Sequence, residues 1–222
     1  MIYLHIPKTG GTSLRNAFML AQTPVPFVVA PSHAITLTNI DTFCVFSIRD
    51  PLERFCSGFW ERATNNKRKQ INKGVNILFQ GGGYQDLGKG EKNIFRDFPT
   101  PNHFITALRE GSADKVEHEF GTTPLNLLLS PLTYWLGNLS TYKKHEAKVK
   151  NVFELNSLSS IMKEQGVNLP EDPFLKRSRK QFPDINQTYS ISKTNREWFT
   201  NDLRVEDYKI INHIRNQSYY IP

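Results

Sequence analysis

The N-terminus constrains the fold more than any other part of the chain. Its first five residues are too short and too apolar for a free tail and read as a buried strand running straight into Pro7-Lys8-Thr9-Gly10-Gly11-Thr12-Ser13. Past the glycines, Leu14, Ala17, Phe18 and Ala21 recur at helical spacing, so a helix begins near Thr12. The succession returns further on. Thr42 to Ile48 is an apolar run that stops at Arg49-Asp50-Pro51. Leu52, Phe55, Cys56, Phe59 and Trp60 then follow at i, i+3, i+4, i+7 and i+8, an amphipathic helix over Leu52 to Arg62. Strands alternating with helices imply an α/β fold with a central parallel sheet flanked by helices.

The rest of the chain fits one domain over 1–222. Phe27 to Ala30 reads as a second short strand, followed by a loop at Pro31-Ser32-His33, and Val149 to Leu155 as a late strand after which Asn156-Ser157 begins a helix. Helical texture spans Pro101 to Leu108, Leu125 to Leu139, Leu158 to Gln165 and about Arg196 to Arg215. Residues 65–97, with Lys67-Arg68-Lys69 and several glycines, read as a mobile surface excursion. A hydrophobic fraction of 38% and an aromatic fraction of 12% exclude wholesale disorder. Cys44 and Cys56 lack zinc-site spacing and read as buried free thiols. With no apolar run near the ~20 residues of a membrane helix and no leader-like N-terminus, the expected location is the cytoplasm.

Glycines that follow a buried strand and open a helix let backbone N–H groups close on an anion, and the helix dipole adds to the attraction. Thr12 and Ser13 supply hydroxyls at the same place, so this P-loop-like turn is a candidate phosphate site; the alternative is a tight turn without ligand. It is not a nucleoside triphosphatase loop, whose lysine follows the second glycine, whereas Lys8 precedes both. Nor is it the dinucleotide fingerprint, because no third glycine follows at the required offset. The second constellation is Arg49-Asp50-Pro51 with Arg54 and Ser57. Arg49 stands at the carboxyl end of a predicted parallel strand, the edge where open α/β sheets bind ligands, and a guanidinium suits bidentate phosphate contact. Asp50-Pro51 also reads as a helix cap, and Arg49 as a plain ion-pair partner.

Together the two constellations resemble a known family. His5 to Ser13 resembles the 5′-phosphosulfate loop of sulfotransferases that use 3′-phosphoadenosine 5′-phosphosulfate (PAPS), and Arg49-Asp50-Pro51 with Arg54 and Ser57 resembles their 3′-phosphate motif, R-D-P-x-x-R-x-x-S. The branch most similar is that of the heparan sulfate and uronyl 2-O-sulfotransferases, where the first motif more often reads R-V-P-K-T than H-I-P-K-T. Val152 to Leu155 resembles the family's late strand, Ser190 to Lys193 a loop closing over the nucleotide, and the last helix, with Leu203, Tyr208 and Ile211, the family's C-terminal one. Residues 63–150 carry no motif of the family that can be placed.

The resemblance implies a site. Lys8 lies on the phosphosulfate, Thr9, Gly10, Gly11, Thr12 and Ser13 hold the 5′-phosphate, Arg49 and Ser57 hold the 3′-phosphate, and Ser192 and Lys193 close over the nucleotide. The reaction is in-line transfer of a sulfuryl group to an acceptor hydroxyl, leaving 3′,5′-adenosine bisphosphate (PAP), with no metal required. The acceptor needs a base, and His33 matches in order the histidine that serves as base in the 2-O-sulfotransferases; His5, Glu53 and Glu61 are its rivals. The net charge of +7 first suggests a polyanionic partner. Nucleic acid is disfavoured because the interleaved aromatic and basic pattern of an RNA-binding sheet is missing. A nucleotide kinase or triphosphatase is disfavoured by the position of Lys8 and by the want of a magnesium carboxylate after a strand. Arg62, Lys67 and Arg68, with a second basic run at Lys176 to Lys180, suit an anionic glycan acceptor or a solvated face equally. Tyr134, Trp135 and Trp60 read either as platforms for sugar rings or as core.

Overall fold

Cys44–Ile48 forms the middle strand of a five-stranded sheet in which every neighbouring pair is parallel. The computed structural model describes residues 1–10, 28–30, 34–60, 98–111, 130–157 and 190–222. Within them the strands are β1 (Ile2–Tyr3), β2 (Val28–Val29), β3 (Cys44–Ile48), β4 (Val149–Glu154) and β5 (Tyr220–Ile221), in the order β2-β1-β3-β4-β5. All five residues of β3 are buried, as a strand covered on both faces requires. The described helices are α1 (residues 51–60), α2 (Pro101–Arg109), α3 (Thr133–Leu136), α4 (Leu139–His145), α5 (Lys193–Trp198) and α6 (Val205–Arg215).

Two apolar clusters hold these elements. Cys44, Phe46 and Ile48 alternate along β3 and share one face. Their cluster includes Leu132, Trp135 and Leu136 from the α3 region, Tyr142 of α4, and Ile210, Ile211 and Ile214 of α6. In the second cluster, Leu52, Phe55, Cys56 and Phe59 of α1 meet Phe104 and Ile105 of α2 and Phe199. Phe55 lies parallel to Phe104 at 6.0 Å and edge-on to Phe199 at 5.3 Å. Both thiols are buried and free, as expected.

Two expected helices are broken, each for a visible reason. Between Leu125 and Leu139 the described part is split at Gly137, whose φ of +76 ends α3. A Cβ there would stand 2.5 Å from the Thr141 side chain. Asn138 then starts α4 by accepting from the Thr141 N–H at 2.8 Å. The last helix, read as continuous from about Arg196, begins at Lys193, passes through a π-helical stretch at Phe199–Leu203 and restarts after Arg204 as α6. The wider turn seats Phe199 in the second cluster, while α6 turns Asp207, Ile210, Ile211 and Ile214 inward. β5 was not anticipated, since two residues carry no readable period. The expected helix from Thr12, the 65–97 excursion and the Leu158 to Gln165 helix lie outside the described residues.

Candidate active site

β2 lies to one side of β1 and β3 to the other, so the sheet changes its winding direction between β1 and β3. Open α/β sheets bind ligands in the crevice outside the carboxyl ends of such strands. Both motifs leave the sheet there. β1 and β3 pair as Ile2↔Cys44 and Tyr3↔Val45, and the Leu4 N–H donates to the Val45 carbonyl at 2.9 Å. The lysine turn and Arg49 therefore emerge from adjacent strands at the same edge.

The first turn is held from beneath by hydroxyls. Tyr3 is fully buried and donates to the Ser47 Oγ, which in turn donates to the Thr9 carbonyl. Burial, partly offset by the bonds to Ser47 and Thr9, pushes the Tyr3 phenol up to about 12. Thr9 is itself fully buried, and its own hydroxyl donates to the Ile6 carbonyl at 2.8 Å. That hydroxyl is committed to the turn. Above this anchor Lys8 adopts a φ of 68 and Gly10 a φ of 91. The left-handed region costs a residue with a side chain about 1–2 kcal/mol. Lys8 is the only such residue among those described. Strain of this kind, over-determined by its surroundings, gathers where function demands a particular geometry.

The second motif is held by caps and charges. Asp50 Oδ1 accepts from the Leu52 and Glu53 N–H groups at 3.0 Å each, which caps α1 behind Pro51. Tyr208 of α6 donates to Asp50 Oδ2 at 3.2 Å. Burial, reinforced by the Asp50 charge, raises this phenol to about 12. Arg49 donates through Nε to Glu53 Oε2 at 3.3 Å, an exposed i,i+4 pair worth roughly 0.3–0.5 kcal/mol. Its two terminal nitrogens have no partner among the described residues. Ser57, four residues beyond Glu53, shares that face of α1.

Arg54, the second arginine of the motif, faces the interior. It is 2% exposed, donates through Nη2 to the Ser130 carbonyl and lies over the Trp135 ring at 5.3 Å. Burial lowers its pKa to about 10 against the opposing pull of Asp207. Its Nε and Nη1 and the Oδ2 of buried Asp207 lack hydrogen-bond partners. Arg54 thus braces α1 from inside.

A cavity of about 280 Å³ opens beside Arg49. It is lined by Arg49, Asp50 and Glu53 from the β3–α1 junction and by Glu154, Ser157 and Arg215 from the ends of β4 and α6. A protein-family model described as the sulfotransferase family matches residues 1–214. The chain belongs to the sulfotransferase family. Its activity class is PAPS-dependent sulfuryl transfer. No curated protein and no solved structure matches the chain.

The sulfotransferase thus brings Lys8, Thr9 and Gly10 to the same sheet edge as Arg49. Gly11, Thr12, Ser13, His33, Arg62, Lys67 and Arg68 lie outside the described residues. Ser192 caps α5 by accepting from the Asn195 N–H at 3.2 Å, and its own N–H donates to Asn102 of α2 at 2.9 Å. Lys193 beside it is 89% exposed, with Glu197 3.8 Å away. His5 is buried next to the turn, and Glu53 is engaged with Arg49. Of the three aromatics, Trp135 is core, Trp60 packs on the second cluster and Tyr134 is half exposed. Among the described residues no cluster of His, Cys, Asp and Glu suits a metal ion, and no helix is long and apolar enough to cross a membrane.

Sequence reading missed Ser47 and Arg215, and placed Tyr208 only in the last helix, without its bond to Asp50. Ser47 carried a signal, as a lone hydroxyl in a buried strand needs a partner. Tyr208 and Arg215 carried none, because each reaches its place through tertiary packing.

Proposed function

We propose that this sulfotransferase moves the sulfuryl group of PAPS to a carbohydrate hydroxyl. The observation that carries the reading is the emergence of the strained Lys8 turn and of Arg49 from neighbouring parallel strands, one for each end of a nucleotide with two phosphate sites. On this reading Lys8 neutralises charge that builds on the leaving 5′-phosphate oxygen. The Thr9 backbone, Gly10, Gly11, Thr12 and Ser13 hold that phosphate, and Arg49 with Ser57 holds the 3′-phosphate. The terminal nitrogens of Arg49, which have no partner among the described residues, supply the fork that a phosphate accepts. Ser192 and exposed Lys193, at the start of α5, close over the nucleotide. Transfer of this kind rests on positioning and on charge stabilisation, both of which these residues offer.

His33 takes the proton of the acceptor hydroxyl as it attacks sulfur, a role suited to a group that titrates near neutrality. Arg62, Lys67 and Arg68 suit an anionic glycan as acceptor. The test has two arms. PAP should raise the melting temperature well above the shift given by ADP, and equal shifts would remove the 3′-phosphate assignment of Arg49 and Ser57. His33→Ala should abolish transfer from labelled PAPS to a panel of glycans while PAP still binds; undiminished turnover would place the base elsewhere.

A further inference from the structure

The wall of the cavity opposite the R-D-P motif in sequence is built by the end of the chain. Arg215 closes α6, one residue past the span matched by the family model, and β5 follows it as an added edge strand. Arg215 donates to Glu154 Oε1 through Nε at 2.9 Å and through Nη2 at 2.6 Å. The Tyr220 hydroxyl donates to the same oxygen at 3.1 Å. Glu154 ends β4, which pairs with β3 in register through Ile48↔Glu154, one residue before Arg49. The clamp therefore sets the Arg215 guanidinium beside the strand that delivers Arg49, and both line the same cavity.

We infer that Arg215 is a second cationic ligand for the 3′-phosphate end of the adenosine nucleotide and, with Arg49, sets the preference for a 3′-phosphorylated nucleotide over ADP. The inference rests on the proposed role of Arg49. Two features favour it. The cavity, at about 280 Å³, falls just under the ~300–1,000 Å³ of pockets that enclose a whole small ligand, so it fits one end of a nucleotide whose other end lies on the Lys8 turn. Charge is the second. Of the three side-chain carboxylates that line it, Asp50 is occupied by the α1 cap and Tyr208, and Glu154 by Arg215 and Tyr220. Glu53, on Arg49, is 59% exposed and free to swing into solvent. A dianion entering here would then meet two guanidinium groups. Glu154 holds Nε and Nη2 of Arg215, and among the described residues no hydrogen bond engages Nη1.

Affinities for PAP and for ADP, measured by calorimetry on the full chain, test this through their ratio. Arg215→Gln should weaken PAP at least tenfold and leave ADP within about twofold. Arg215→Lys keeps a cation for Glu154 but loses the fork, and should give up at least threefold in preference even if the glutamine variant folds poorly. A merely structural ion pair would lower the melting temperature and weaken both ligands alike. An unchanged PAP to ADP ratio in the lysine variant, with Arg49→Gln losing its preference, overturns the role of Arg215 alone. An unchanged ratio in Arg49→Gln instead overturns the reading of Arg49 on which the inference stands.

Discussion

The two turns at the sheet edge are built on different principles. The Lys8 turn is fixed by neutral hydroxyls and backbone: Tyr3, Ser47 and Thr9 form a buried chain beneath it, and its cost is a lysine in left-handed geometry. The Arg49 turn is fixed by charge and by distant helices. Asp50 caps α1 and receives Tyr208 from α6, while Arg54 is buried against Trp135 and the Ser130 carbonyl. The first is closed by hydroxyls on the two neighbouring strands. The second depends on α6 staying in place, so damage far along the chain reaches it.

The largest expected effect comes from separating strain from chemistry in the first turn. Lys8→Gly relieves the left-handed backbone and removes the ammonium together. The melting temperature should hold or rise slightly, because glycine tolerates that φ. Transfer should fall by about 10²–10³, the usual loss for one stabilising group at a developing oxyanion. PAP affinity should change little, since the product lacks the sulfuryl group. Retained turnover in a well-folded Lys8→Gly would move the charge stabilisation to another residue.

The second turn should answer first in stability. Arg54→Met removes a buried guanidinium and its Coulombic pull on buried Asp207, which it attracts without a direct ion-pair contact. Losing one partner of a buried pair in direct contact commonly costs ~3–5 kcal/mol, and these two charges are not in direct contact. Two unsatisfied nitrogens leave with Arg54, so a loss of about 2–3 kcal/mol is expected. Asp207→Asn keeps the Oδ1 that accepts from the Thr133 N–H at 3.0 Å and removes the charge. Combined with Arg54→Met it should recover most of the loss in a denaturant titration. Additive losses in the double variant would mean that the two charges do not act together.

The same contrast explains what could be read from sequence. β1, β3, β4 and α1 were legible because each is a local pattern: apolar runs ending at Pro7 and Arg49, and the i, i+3, i+4 spacing from Leu52 to Trp60. The two motif loops were legible for the same reason, as their residues are contiguous. The break at Gly137 and the π-helical stretch at Phe199–Leu203 were not, because a helical period continues through both and only packing against Thr141 and the Phe55 cluster reveals them. Arg54 reads in sequence as one more cation of a phosphate motif. Its burial is set by Trp135 and Ser130, roughly eighty residues away in a region whose spacing gave little.

The smallest effect isolates the link from α6 to the Arg49 turn. Tyr208→Phe deletes one hydroxyl and its donation to Asp50, and keeps the ring in the second cluster. The cap of α1 remains, so a loss near 1 kcal/mol is expected, the usual net worth of one such bond. PAP should weaken about two- to threefold, within what a bond of that size can transmit, and ADP less. The sign with pH follows from the raised phenol. Burial and Asp50 lift Tyr208 from 10 to about 12, so the folded state keeps a proton that the unfolded chain releases above pH 10. The stability it supports is intact below pH 10 and is lost as pH climbs towards 12. Other raised tyrosines titrate in the same window, so the readout is a difference: the phenylalanine variant should lose less stability than the wild type between pH 10 and 12. Parallel declines would show that the Tyr208 hydroxyl contributes nothing to holding the Arg49 turn.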